Sequence, residues 1–221
     1  KLINDLENKN IIEVGPGTGA LTEIILKNNP KKLILIEKDN LLYNDLFKKY
    51  KNNKSIEIHN EDALKFNYNK INKPKSIIAN LPYNISIKLI INWLKKMQEF
   101  NEIIVMIQKE VAKKMNYKNA KKMNRLNVLT AITSNFNIEF DVSNNVFFPK
   151  PKVTSSVIKI TPKNNMNYDF LKLENFTRML FRYKRKMIHN VIPKEKLDLL
   201  KLKNYSFNFN NILNSRAEDL T

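Results

Sequence analysis

Asn10-Ile11-Ile12-Glu13-Val14-Gly15-Pro16-Gly17-Thr18-Gly19-Ala20-Leu21-Thr22 contains every glycine of the 221-residue chain, all three within five positions. The sequence makes its other turns without glycine and keeps three where only a hydrogen at Cα permits positive φ or close approach of backbone to a ligand. The apolar run before the glycines reads as a buried strand. Thr18 to Asn28 after them reads as a helix with Leu21, Ile24 and Ile25 on one face. Strand, glycine turn and helix in this order hold a nucleotide-like ligand.

The alternation continues downstream. Strands are expected at Asn10–Val14, Lys32–Glu37, Ile56–His59, Ser76–Asn80 and Glu102–Gln108, with helices near Asn40–Tyr50 and Ser86–Gln98 between them. Strands and helices taking turns imply a parallel sheet covered on both faces. In the Ser86–Gln98 helix, Ile87, Ile90, Ile91, Leu94 and Met97 follow the 3.6-residue period and are expected in the core. A helix over Arg125–Ser134 precedes two more strand candidates, Phe136–Val142 and Val153–Ile160. The stretch Phe148-Pro149-Lys150-Pro151 between them suits a hairpin with an extended connection, because Pro presets φ and offers no ladder donor. Past Thr161-Pro162 the strand signals stop and amphipathic helical segments begin. The expected division is residues 1–162 as an α/β domain and 163–221 as a small all-helical one.

Composition narrows the chemistry. An apolar content of 43% is enough for a core, and no apolar run approaches the roughly 18 residues that span a bilayer. The start at Lys1 lacks the apolar core of a signal peptide, so the cytoplasm is the expected compartment, with a plastid or mitochondrion as the alternative. With no initiator Met, the sequence is expected to be a piece of a longer chain. Without cysteine there is no disulfide framework, thiolate nucleophile or cysteine-held metal. His59 and His189 alone make a poor metal set, so no metal is expected. A monomer is the expected state.

The net charge of +18 points to a polyanionic partner. Lys, Asn and Ile dominate throughout, however, as an AT-rich coding sequence would produce without selection for charge. The scarce arginines say more: Arg178, Arg182 and Arg185, three of only five, gather with Lys184 and Lys186 beside Phe181 and Tyr183. Arg binds phosphate as a planar fork, so this cluster is the expected contact to an RNA backbone.

Gly-x-Gly-x-Gly alone suits a nicotinamide or flavin dinucleotide equally well. The next strand ends discriminate. The second ends in Glu37, a carboxylate about 20 residues on that can accept from ribose hydroxyls, and the third in Asp62-Ala63, able to accept from an adenine amino group. Ligands of open α/β sheets bind at the carboxyl ends of the strands, and a purine nucleoside fits all three features. The fourth strand ends in Asn80-Leu81-Pro82-Tyr83. An adenine amine is a poor nucleophile because its lone pair is delocalised into the ring. Asn80 Oδ1 and the Leu81 carbonyl could accept its two hydrogens and favour a pyramidal nitrogen, which develops positive charge as it attacks. Pro82 fixes the turn, and Tyr83 can stack on a base taken out of its helix.

Together, Glu13 to Thr22, Glu37, Asp62-Ala63, Asn80 to Ser86, Gln108 to Ala112 and Phe147 to Ser156 resemble the ribosomal RNA adenine dimethyltransferases, the KsgA family. The resemblance is in order and correctly spaced from about residue 10 to 160, and continues more weakly through Phe181 to Lys186 and Arg216 to Glu218. It implies a Rossmann-like, seven-stranded α/β domain that binds S-adenosyl-L-methionine, and a small C-terminal all-helical domain that binds RNA. The activity implied is dimethylation at N6 of two adjacent adenosines near the 3′ end of small-subunit ribosomal RNA, on a pre-ribosomal particle during ribosome biogenesis.

By position, the resemblance assigns Glu13, Gly15, Gly17 and Gly19 to the methionine side of the cofactor, Glu37 to its ribose, and Lys38, Asp62 and the Ala63 backbone to its adenine. Asn80, Leu81, Pro82 and Tyr83 would position the target amine, with Asn80 also next to the cofactor, and Phe147 would be a second stacking ring. Three features depart from the pattern: the chain begins after the family's basic, glycine-containing first segment, its last helix is cut short after Thr221, and Asn124 stands where Gly is usual. Two alternatives share the fold: an Erm-type methyltransferase acting on one adenine of large-subunit RNA, and a non-catalytic assembly or mitochondrial transcription factor. Gln108-Lys109-Glu110, the glycine motif and Asp62-Ala63 favour the small-subunit enzyme over the first. Intact Glu37, Asn80, Pro82 and Tyr83 argue against the second.

Overall fold

A computed structural model describes residues 6–147, 151–164, 168–183, 185–195, 197 and 209–220. One sheet is built from β1 (Asn10–Val14), β2 (Lys32–Glu37), β3 (Ile56–Asn60), β4 (Lys75–Asn80), β5 (Glu102–Gln108), β6 (Ser134–Val142) and β7 (Ser155–Pro162). Across it the order is β3-β2-β1-β4-β5-β7-β6. The first five strands run parallel and β7 enters antiparallel between β5 and β6. Strands buried on both faces need unbroken apolar runs; β1 is buried at all five positions, and Ile12 lies level with Ile34 and Ile77 of its neighbours. All the parallel strands therefore end on one edge, where the glycine turn, Glu37 and Asn80 stand.

The chain forms two compact units, residues up to 112 with 133–164, and residues 113–132 with 165–221. The last junction falls between residues 164 and 165, where a boundary near 163 is expected, and the segment 113–132, expected with the sheet, groups with the helical unit. Its partners explain why: Arg125 pairs with Glu174 at 2.7 Å, and the Met123 N–H donates to the Glu218 carbonyl at 2.7 Å. An insertion between two strands leaves no composition shift for a linear reading to find.

In the sheet unit, α1 (Ala20–Leu26) and α2 (Asn40–Tyr50) lie against one cluster with Ile11, Leu33 and Leu35. Asp39 caps α2, accepting from the Leu41 and Leu42 N–H groups. Ile24 is exposed and does not share the buried face of Ile25. The helix α3 (Tyr83–Lys95) begins three residues earlier than expected, directly after Pro82, whose carbonyl accepts from the Ile85 and Ser86 N–H groups. Its core face is Leu89, Ile90, Trp93 and Leu94, whereas Ile87 is exposed. Between β3 and β4 the described crossover holds only a single 3₁₀ turn, Tyr68–Lys70. Lys75, 1% exposed, donates from Nζ to the Tyr68 and Ile71 carbonyls at 2.8 and 3.0 Å, satisfying backbone that a helix would have satisfied itself. Burial holds its ammonium below the ordinary lysine range. A short α4 (Lys109–Met115) follows β5.

The second unit contains α5 (Arg125–Thr133, its last residue in the sheet unit), α6 (Phe170–Leu180) and α7 (Phe209–Leu213). Its core gathers Leu180, Ile188, Ile192, Leu197, Leu213 and Ala217. Asn124, the departure from glycine, caps α5: its Oδ1 accepts from the Leu126 and Asn127 N–H groups, and Asn127 Oδ1 accepts from the Asn124 N–H at 2.8 Å.

Candidate functional site

The glycine turn owes its shape to left-handed backbone. Gly17 has φ +58° and open space where a Cβ would stand; at Gly19, with φ +86°, a Cβ would come 3.2 Å from the Tyr50 hydroxyl and 3.3 Å from Leu46 Cδ2. The first leaves room on the outer side of the turn, and the second lets α1 start close against α2. Behind the turn lies Glu13, 1% exposed, which accepts from the Thr22 hydroxyl at 2.7 Å. Burial pushes its carboxyl up to about 7, partly offset by that hydrogen bond.

Glu37, at the end of β2 and 7% exposed, spans to the turn. Its Oε2 accepts from the Gly17 N–H at 3.2 Å and its Oε1 from the Asp39 N–H at 2.9 Å. Glu37, Lys38, Asp39, Asn40 and Leu41 line an open cleft at this edge. Lys38 pairs with Asp62 at 2.9 Å and holds that carboxyl below its ordinary range; the Leu64 N–H also binds it. The Ala63 carbonyl accepts from the Tyr68 hydroxyl at 3.0 Å.

At the neighbouring strand end Asn80 is exposed, and among the described residues its side chain makes no hydrogen bond. Leu81 is buried and its N–H donates to the Met106 carbonyl of β5. Pro82 adjoins the glycine turn: a Cβ on Gly15 would lie 3.8 Å from Pro82 Cδ. The turns after β1 and β4 thus meet edge to edge, which sequence spacing alone does not reveal. Tyr83, half-buried, brings its hydroxyl to 2.8 Å from that of Ser155. Sequence reasoning gave Ser155 no role; the only signal was its place in the Phe147 to Ser156 run. Phe147 closes the 3₁₀ turn Asn144–Val146 and is half-buried; Phe148 to Lys150 lie outside the described residues.

In the helical unit the basic segment is not one helix face, since α6 ends at Leu180. Arg178 pairs with Glu174 at 3.0 Å. Arg182 and Lys186 lie against the exposed Tyr183 ring, 5.3 and 4.8 Å from its centre. Arg185 is exposed, and Lys184 lies outside the described residues. Among the described residues no cluster of three or more His, Cys, Asp or Glu could hold a metal ion, and no helix is long and apolar enough to cross a membrane.

A seven-stranded sheet in this order, with a glycine turn after β1 and polar groups at the next three strand ends, defines a Rossmann-like methyltransferase. The sequence model of the family described as ribosomal RNA adenine dimethylase matches residues 1–216, and the chain belongs to that family. It is 42% identical over 209 residues to ribosomal RNA small subunit methyltransferase A of Malacoplasma penetrans (strain HF-2), covering 90% of this chain and 75% of that protein. Among solved structures, a dimethyladenosine transferase from Plasmodium falciparum superposes with a TM-score of 0.75 at 26% identity, covering 96% of this chain and 85% of that one. The 23S ribosomal RNA methyltransferase ErmE shares the fold, with a TM-score of 0.68 at 21% identity over 90% of this chain and 77% of its own.

Proposed function

We propose that this methyltransferase uses S-adenosyl-L-methionine to dimethylate N6 of two adjacent adenosines near the 3′ end of small-subunit ribosomal RNA. The contact between Pro82 and the turn at Gly15 carries the reading, because it sets the amine-binding turn against the cofactor-binding one. The name of the Malacoplasma penetrans relative supports the choice of the small subunit.

The residues present suit the cofactor. Gly17 has open space outside it, Glu37 can offer a carboxylate to ribose hydroxyls, and Asp62 with the Ala63 backbone could read an adenine edge. When bound, S-adenosyl-L-methionine supplies an electrophilic methyl on a sulfonium. Gly15, Gly17 and Gly19 would admit its methionine part, with Glu13 steadying the turn through Thr22, and Lys38 would lie by the adenine. Asn80 Oδ1 and the Leu81 carbonyl accept the two hydrogens of the target amine and localise its lone pair for in-line attack. Tyr83 and Phe147 hold the target ring by stacking, worth about 1 to 3 kcal/mol per base. Orientation and polarisation supply most of the acceleration. The helical unit binds RNA through Arg178, Arg182, Lys184, Arg185 and Lys186; Arg182→Ala with Arg185→Ala should weaken subunit binding and flatten its salt slope by roughly 1.5 to 2.

Incubation of the full-length protein and labelled cofactor with unmethylated small and large subunits, followed by mapping, tests the assignment. Label on two adjacent adenosines of the small subunit is expected. Label in the large subunit would indicate Erm-type specificity, and none in either an assembly or transcription factor.

A further inference from the structure

Tyr83 is tied to a distant part of the chain. Its hydroxyl lies 2.8 Å from that of Ser155, 72 residues on and fully buried at the start of β7. We infer that Ser155 is a positioning residue for methyl transfer: by hydrogen-bonding the Tyr83 hydroxyl it fixes the plane of the ring on which the target adenine stacks. The inference rests on the proposed stacking role of Tyr83.

The anchor is fixed by the sheet on both sides, whereas the ring has its own side-chain dihedrals to settle. Ser155 stands between Gln108 of β5 and Val142 of β6 in the sheet. The Thr154 carbonyl before it accepts from the Lys109 N–H at 3.0 Å. Ser156 after it donates to Asp141 at 2.6 Å, and Asp141 in turn pairs with Lys109 Nζ at 2.6 Å. Tyr83, by contrast, opens a helix after an exposed proline, with two side-chain dihedrals to be fixed. Stacking itself needs no hydroxyl, since a phenyl ring offers the same face. A tyrosine whose hydroxyl turns to a buried serine therefore uses that group for orientation, which lowers the entropy lost when the base arrives.

Steady-state methylation of unmethylated small subunits by the full-length protein, with cofactor affinity measured separately by calorimetry, tests this in four variants. Ser155→Ala and Tyr83→Phe should each lower kcat roughly three- to tenfold, the worth of one hydrogen bond, and leave cofactor affinity unchanged. The double variant should be no slower than either single one, because both remove the same contact. Tyr83→Ala should lose about a further tenfold with the stacking surface. Wild-type kcat in Ser155→Ala and Tyr83→Phe, or losses that multiply in the double variant, would overturn the positioning role. Wild-type activity in Tyr83→Ala would instead overturn the stacking assignment itself. If Ser155→Ala fails to fold, Tyr83→Phe removes the same hydrogen bond from the other side and decides the matter alone.

Discussion

The two halves of the site are held in different ways. At the ends of β1, β2 and β3 the ionisable side chains already have protein partners: Glu13 with Thr22, Glu37 with the Gly17 and Asp39 N–H groups, Lys38 with Asp62. At the end of β4 the Asn80 side chain is exposed without such a partner among the described residues, whereas the Tyr83 side chain is tied to Ser155. Burial accounts for the difference. A buried carboxylate without donors costs several kcal/mol, so Glu13 and Glu37 take protein donors, whereas an amide at the surface is solvated. On the proposed assignment, cofactor binding would be an exchange of partners and amine binding an addition.

Removing the central group of the amine half separates the two most strongly. Asn80→Ala should lower kcat by about a thousandfold and change cofactor affinity less than about threefold, read by single-turnover methylation and calorimetry. Equal loss of both would merge the halves into one unit.

The buried acid of the cofactor half gives the next largest effect. The Glu13 carboxyl stands at about 7 in the native protein, against 4.5 ordinarily. Between those values the native state binds more protons than the unfolded chain. The stabilisation from Glu13 is therefore full below about pH 4.5 and is lost as pH rises through 7. Glu13→Gln fixes the neutral form. In urea titrations it should match wild type near pH 4 and exceed it by up to about 3 kcal/mol near pH 8. A wild-type stability flat across that window would mean that the carboxyl is ionised and paired within the protein.

How legible each half was in the sequence follows from the same contrast. Gly15 to Gly19 follow β1 and Glu37 ends β2, strands whose apolar runs are local, so β1 and β2 fall at their expected bounds, as does β5, and Asp62 stands two residues past the end of β3. The seven-stranded sheet was legible for that reason. What stayed hidden depends on pairings that no linear pattern marks: Ser155 under Tyr83, Lys75 under the β3–β4 crossover, and Arg125 with Glu174, which draws 113–132 into the helical unit. Lys75 is the clearest case, since a lysine reads as surface until a helix-free crossover leaves carbonyls that need it. Ile87 misled for a smaller reason: the 3.6-residue period fits more than one face of α3, and the buried one is Leu89, Ile90, Trp93 and Leu94.

The weaker predictions sharpen what exchange of partners means. Glu37→Ala removes both acceptors of the ribose, and cofactor affinity should fall about thirtyfold with kcat at saturation within about twofold. Unaltered affinity would show that the Glu37 carboxylate serves only the Gly17 and Asp39 N–H groups.

Lys38 should matter least. It is 75% exposed at its side chain and meets Asp62 at 2.9 Å. Exposed ion pairs contribute about 0 to 1 kcal/mol and are screened by salt. Lys38→Ala should therefore weaken cofactor binding no more than about threefold, and the difference should vanish in high salt. An order-of-magnitude loss that persists in high salt would place the Lys38 stem against the adenine ring itself, so that an apolar contact, which salt does not screen, does the holding.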